Sequence, residues 1–216
     1  MIVVGHGARF HMAEVARLAE QLNAPVITTF KGKGLIPDSH PLAGGVLGRS
    51  GTPVASWLMN EADVLLVFGA SFSNHTGITP KLPTIQVDFD PLVLGKFHAV
   101  DVPVWGEIGI TARLLAAELA ADTGTADRVD QSGAVAERWR IWRREKERRL
   151  AEERGRGVSS AAVFDAMNRV IPADAILCVD VGNNTYSFGR YFECTGQAVL
   201  MSGYLGSIGF GYPAAL

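Results

Sequence analysis

Ile2-Val3-Val4-Gly5-His6-Gly7-Ala8-Arg9 is an apolar run that ends on glycines. Just beyond it, Met12, Val15, Ala16, Ala19 and Leu22 recur at helical spacing. A continuous apolar strand, a glycine turn and an amphipathic helix, in that order, predict the first unit of a parallel sheet covered on both faces. The pattern repeats outward from there. Residues 25–30 (PVITTF), 64–68 (VLLVF), 84–87 and 101–105 read as further strands, rich in β-branched residues. Residues 52–60 and 108–121 read as helices, and residues 31–51, dense in Gly and Pro, as a long loop. The expected fold is α/β, with Rossmann-like topology and about five or six parallel strands.

A small, polar stretch at 122–132 reads as a linker, and the charged block at 134–154 as a helix. That block mixes charges of both signs with Val135, Trp139, Trp142 and Leu150, so it is expected to pack on a domain through its tryptophans. A second α/β pattern then begins at Val158. Ser159 or Ser160 caps a helix, residues 175–180 (AILCVD) form a buried strand, 181–185 a turn and 186–192 a helix. Residues 199–202 form one more strand, which leads through a glycine-punctuated loop into a final helix.

Composition narrows the function. Among 216 residues, 48% are hydrophobic and 19% charged, and the net charge of −2 calls for neither nucleic acid nor an anionic membrane. No apolar stretch reaches the roughly 18 residues that would span a bilayer, and the N-terminus lacks the features of a signal peptide. The expected setting is cytoplasmic. Cys178 and Cys194 are too far apart in sequence for a CxxC and read as reduced, packed thiols. Histidines 6, 11, 40, 75 and 98 are scattered, with no metal-ligand spacing.

The chemistry concentrates where strands end. Gly5-His6-Gly7 has the context of a dinucleotide turn, although Phe10 interrupts the full glycine fingerprint. Lys31-Gly32-Lys33-Gly34 and Gly48-Arg49-Ser50-Gly51-Thr52 combine close backbone approach with cations that suit phosphate. Gly69-Ala70-Ser71-Phe72 follows a third strand, and Asp88 and Asp90 end a fourth, where a carboxylate would meet a ribose hydroxyl. In the second half, Asp180-Val181-Gly182-Asn183-Asn184-Thr185 offers backbone amides and Asn side chains to phosphate oxygens. The glycine-dense segment 202–215 (SGYLGSIGFGYPAA) must pass very close to something.

Taken in order, these segments resemble the thiamine-diphosphate enzymes of the acetolactate synthase and pyruvate oxidase family. The resemblance rests on TTFKGKGLIPDSHPL, GVLGRSGT, NEADVLLVFGASF, QVDFDPLVLGK, the Val-Trp-Gly-Glu at 104–107, AILCVDVGNNT and GYLGSIGFGYPAA. It implies a central domain at 1–121, a linker and charged helix at 122–157, and the N-terminal part of the thiamine-diphosphate domain at 158–216. It further implies that Gly182, Asn183 and Asn184 line the diphosphate, with Gly206, Ser207 and Ile208 at the aminopyrimidine. There the Gly206 carbonyl would accept from the 4′-amino group, and Ile208 would be the wedge that bends the cofactor. Gly5, Gly7, Lys33, Gly48, Gly51, Gly69, Asp88 and Gly106 would border FAD or ADP. FAD-binding members often carry an arginine near the position of Ser71.

The implied parent activity is decarboxylation of a 2-oxo acid, with carboligation or oxidation, dependent on thiamine diphosphate and Mg2+. A homo-oligomer, dimer or tetramer, is implied as well. The family's activating glutamate and its Gly-Asp-Gly magnesium motif have no counterpart in this sequence, so no catalytic residue and no metal ligand is assigned, and the chain by itself is expected to be inactive. The competing reading is a non-catalytic FAD- or ADP-binding regulatory module. An NAD-dependent deacylase, which shares the central fold, would need a zinc-binding cysteine set.

Overall fold

A computed structural model describes residues 1–49, 51–72, 76–121, 129–152, 155–203 and 205–216. Six parallel strands make the first sheet: β1 (Ile2–Val4), β2 (Val26–Thr28), β3 (Ala43–Val46), β4 (Leu65–Phe68), β5 (Thr84–Asp88) and β6 (Val102–Trp105). Their spatial order is β3-β2-β1-β4-β5-β6, the doubly wound arrangement with its switch point between β1 and β4. Val3 sits at the centre of the register, opposite Ile27 on one side and Val67 on the other. All three are fully buried, which is why these strands read as unbroken apolar runs.

Helices α1 (Met12–Leu22) and α3 (Ile108–Ala121) cover one face, closing a core around Val4, Val15, Leu18, Phe68 and Ala112. The other face is covered by α2 (Pro53–Glu61) and α4 (Ser132–Leu150). Thr52 caps α2 with its hydroxyl and Pro53 occupies the first turn, so the helix starts where its sequence dictates.

β3 is a strand that the sequence reading placed inside a loop. Its Ala-Gly-Gly-Val sequence has little strand propensity, but α2 packs so tightly on it that a methyl at Gly44 would lie 2.6 Å from Leu58 Cδ1. Close packing, not propensity, makes this strand. Of the expected linker, residues 122–128 lie outside the described residues. So do His75, Ser50, Tyr204, and Glu153 and Arg154 of the charged block.

The second unit contains α5 (Ser160–Val170), β7 (Ile176–Val179), α6 (Asn183–Tyr191), β8 (Ala198–Met201) and the short α7 (Gly211–Ala214). β7 and β8 pair in parallel, and Phe164, Phe188, Phe192 and Cys194 form the core beneath them. Ser159 caps α5, as its sequence predicts. α6 begins three residues earlier than the sequence reading placed it, so Asn183 and Asn184 stand in its first turn.

Two devices join the units. α4 acts as a strut. Trp139 donates from Nε1 to the Ala43 carbonyl of edge strand β3 at 2.6 Å, and Trp142 stacks on Tyr191. Arg143 and Lys146 both reach Glu193. Burial alone would raise the Glu193 pKa, but these two cations outweigh it and hold the carboxyl below its usual value.

The second device is a buried clamp. Lys33 (3% exposed) pairs with Asp38 (8%) at 3.4 Å. Asp38 in turn accepts from the Cys194 amide at 2.7 Å and donates its own amide to the Cys194 carbonyl. Asp38→Ala leaves a buried ammonium and a buried amide without partners, and should cost about 3–5 kcal/mol of stability in denaturant titration. The double change Lys33→Met/Asp38→Leu should cost less than Asp38→Ala alone. A loss under about 1 kcal/mol for Asp38→Ala would refute the clamp.

Candidate functional site

The carboxyl ends of the strands of the first sheet open onto a cavity of about 550 Å³. One wall comes from the switch point, with Gly5, His6 and Gly69. The facing wall comes from the second unit, with Gly182 and Thr185 at the start of α6 and Gly203 and Gly206 on the glycine-rich loop. Lys31 and Arg49 reach the cavity from the ends of β2 and β3, and Phe72 and Phe97 make its apolar side. Open doubly wound sheets bind ligands at this place.

The glycines of the first wall serve one another. The Gly5 amide donates to the Phe68 carbonyl and the Gly7 amide to the Gly69 carbonyl. A methyl on Gly5 would lie 2.2 Å from the Gly69 oxygen, which no backbone could accommodate. Gly69 takes φ +61°. The turn is thus held open by backbone contact, and Gly7 stands behind the lining. Phe72 also has a positive φ, +55°, a strained conformation for a bulky side chain.

His6 is pushed below its ordinary pKa by burial first, then by Arg9 and Lys31.

The second wall is organised by Asp180. Its Oδ1 accepts from the Val181 amide at 2.6 Å and from the Gly209 amide at 2.8 Å. These bonds tie the end of β7 to the glycine loop and hold the Asp180 carboxyl below its usual pKa. Gly182 (φ +150°) precedes α6 and donates to Thr185 Oγ1 at 3.0 Å. Among the described residues, no side chain or carbonyl outside the helix accepts from the Asn183 or Asn184 amides. A helix start of this kind is a ready anion site. Ser207 donates its amide to Ser202 Oγ, and the Ile208 side chain is 84% exposed.

Of the residues singled out from sequence, Gly5, Gly69, Gly182 and Gly206 line this cavity. Gly48 lies between two lining residues and accepts from the Gly51 amide in a tight turn. Asp88 and Gly106 sit further along the sheet edge, where the Gly106 amide meets the Asp88 carbonyl. Burial raises the Asp88 pKa, and its Oδ1 is occupied by the Asp90 amide. Lys33 is turned inward to the clamp, whereas Lys31, two residues earlier, faces the cavity.

The reading by residue type missed Asp180, Lys31 and Arg49 as individual positions, although all three stand in motifs it quoted. Among the described residues, no three His, Cys, Asp or Glu side chains cluster as metal ligands. No helix among them is long and apolar enough to cross a membrane. Cys178 and Cys194 are free thiols, and burial pushes Cys194 up to about 11.

Residues 1–115, the part that contains the switch point, match the family model described as "Thiamine pyrophosphate enzyme, central domain". The chain belongs to the thiamine pyrophosphate enzyme family.

Relatives of known name extend the match into the second unit. A probable acetolactate synthase large subunit of Methanococcus aeolicus is 31% identical over 240 residues, covering 100% of this chain and 39% of that protein. Sulfoacetaldehyde acetyltransferase of Rhodobacter capsulatus is 32% identical over 242 residues, covering 99% of this chain and 41% of that protein. The acetolactate synthase large subunit of Parasynechococcus marenigrum is 30% identical over 224 residues, covering 100% and 35%. The chain therefore spans about two fifths of the length of these relatives.

The depressed Asp180 pKa gives a pH test. A carboxyl lowered in the folded state contributes stability above its unfolded value, and that contribution is lost as pH falls through the folded value. The amide resonances of Val181 and Gly209 should titrate together in NMR spectra, with a midpoint below the ordinary 3.8. A midpoint at or above 3.8, or independent behaviour of the two amides, contradicts the pinning.

Proposed function

We propose that this chain supplies the diphosphate-side wall of a thiamine-diphosphate site and a neighbouring nucleotide site, in an enzyme that acts on a 2-oxo acid. The observation that carries this reading is the convergence of the α6 start and the glycine loop on the cavity at the switch point. Family membership and the acetolactate synthase relatives support it.

The residues fit the diphosphate. Gly182 brings the backbone close, and the first-turn amides of Asn183 and Asn184 are available to phosphate oxygens. The glycine loop, tied to Asp180 at Gly209, carries the Gly206 carbonyl, and Ile208 offers an exposed apolar side chain to a ring. Bound thiamine diphosphate would supply a carbon nucleophile and an electron sink for decarboxylation. Donors for magnesium are not clustered among the described residues, so no step is assigned to the metal. Among the described lining residues there is no Asp or Glu, so no acid or base step is assigned to this chain.

On the first wall, the switch point supports FAD or ADP with its phosphates toward Lys31 and Arg49. A homo-oligomer is part of the same reading, supported by the uncovered edge strand β6, where Val102 and Trp105 are exposed.

A purely regulatory nucleotide module is the second reading, favoured by the position of the cavity at the switch point of the first sheet. Thermal melts separate the two. Mg-thiamine diphosphate at 100 times its Kd should stabilise the chain by about 2.7 kcal/mol. A shift with ADP or FAD and none with thiamine diphosphate would favour the regulatory module.

A further inference from the structure

Lys31 leaves the first unit in the turn after β2 and crosses to the second unit over Gly203. A methyl on Gly203 would lie 1.9 Å from Lys31 Cδ and 2.3 Å from Cε. Gly203 does not adopt a left-handed φ, so its backbone would accept any residue. The glycine lets the exposed lysine stem lie directly on the backbone, and a methyl here would push that flexible stem aside.

Lys31, like Arg49, belongs to the cavity lining. Neither cation has an ion-pair partner among the described residues, and the lining contains no Asp or Glu. Asp180, the nearest acid in the second unit's motif, is held by the Val181 and Gly209 amides. The lowered pKa of His6, to which Lys31 contributes, agrees with a positive potential at that wall. A partly enclosed site with two unpaired cations and no competing anion favours a negatively charged ligand.

We propose that Lys31 is a ligand-binding residue whose ammonium, guided across Gly203 and aided by Arg49, receives the anionic group, carboxylate or phosphate, of the molecule held in this cavity. The proposal rests on the reading above, in which the cavity takes anionic ligands, and adds the residue that selects them. A lysine suits the task because a compact ammonium accepts either group without demanding bidentate geometry.

The test is calorimetric titration of the full 216-residue chain with two probes, ADP for phosphate and pyruvate for carboxylate. Lys31→Met should weaken binding of at least one probe about five- to tenfold, and Lys31→Arg should restore most of it. The probe that responds identifies the source of the anion. Gly203→Ala should weaken the same probe in the wild-type background, by displacing the lysine stem, and should add nothing in the Lys31→Met background.

Unchanged affinity of Lys31→Met for both probes, with an unchanged melting temperature, overturns the proposal. So does a Gly203→Ala effect of equal size in both backgrounds. If Gly203→Ala does not fold, the comparison of Lys31→Met with Lys31→Arg decides alone. If the wild-type chain binds neither probe the proposal falls, while the Mg-thiamine diphosphate melt still reports separately on the function proposed above.

Discussion

The buried pair of Lys33 and Asp38 is the constraint on which the arrangement of the two units depends. Two charges removed from water cost several kcal/mol each unless their partners are in place. Asp38 finds its partners in Lys33 and in the backbone of Cys194, which belongs to the second unit. The loop after β2 pairs its own two charges, and the remaining hydrogen bonds of Asp38 are made only when the second unit is docked. Around this pair, Gly34 comes so near Gln197 that a methyl would lie 2.8 Å from its carbonyl oxygen, and Lys33 sits over the Phe188 ring. The cavity between the units is thus a consequence of the fold's electrostatics as much as of its shape.

A glycine at the end of a strand has two physical uses, and this molecule separates them. Gly5, Gly7 and Gly69 allow two backbones to touch at the switch point, where any side chain would force β1 and β4 apart. Gly182 and Gly206 have no such backbone contact. The nearest atoms to an added methyl are Asn184 Oδ1 at 3.0 Å and Val181 Cγ1 at 3.7 Å. Both take positive φ. The first set builds the wall, and the second leaves space in front of it.

Much of the architecture was legible because burial on both faces writes itself as continuous apolar runs. β1, β4 and β5 read directly, as did a serine cap on α5 at Ser159 or Ser160, of which Ser159 makes it. β3 did not, since Ala-Gly-Gly-Val carries no propensity and is made a strand by its contact with α2 and Trp139. The start of α6 was misplaced because Asn183 and Asn184 are turn formers, yet Thr185 satisfies Gly182 from within the helix and moves its start forward. The choice between Lys31 and Lys33 could not be read from spacing. One short 3-10 turn, residues Phe30–Gly32, sends the first to the cavity and the second to Asp38. Asp180 escaped notice for a similar reason, because its partner Gly209 is distant in sequence and only the fold brings the two together.

α6 lines the second wall and bonds to the first unit. Its first turn begins at Gly182 on the lining, and two turns later Arg190 donates to the carbonyls of Arg49 and Gly51 on the opposite unit. A helix is stiff over that length, so a shift of its start toward an anion would pull on the loop that carries Arg49. The strut α4 holds the far end of α6 through Trp142 and Arg149 against Tyr191. The helix is thus tied at both ends to the elements that frame the cavity. Preorganisation of that kind lowers the ordering cost of binding. The joints between the units are charged and aromatic anchors: Trp139, Arg143, Lys146 and Arg149 are hydrogen-bonded or ion-paired across them, and Trp142 contributes by stacking on Tyr191.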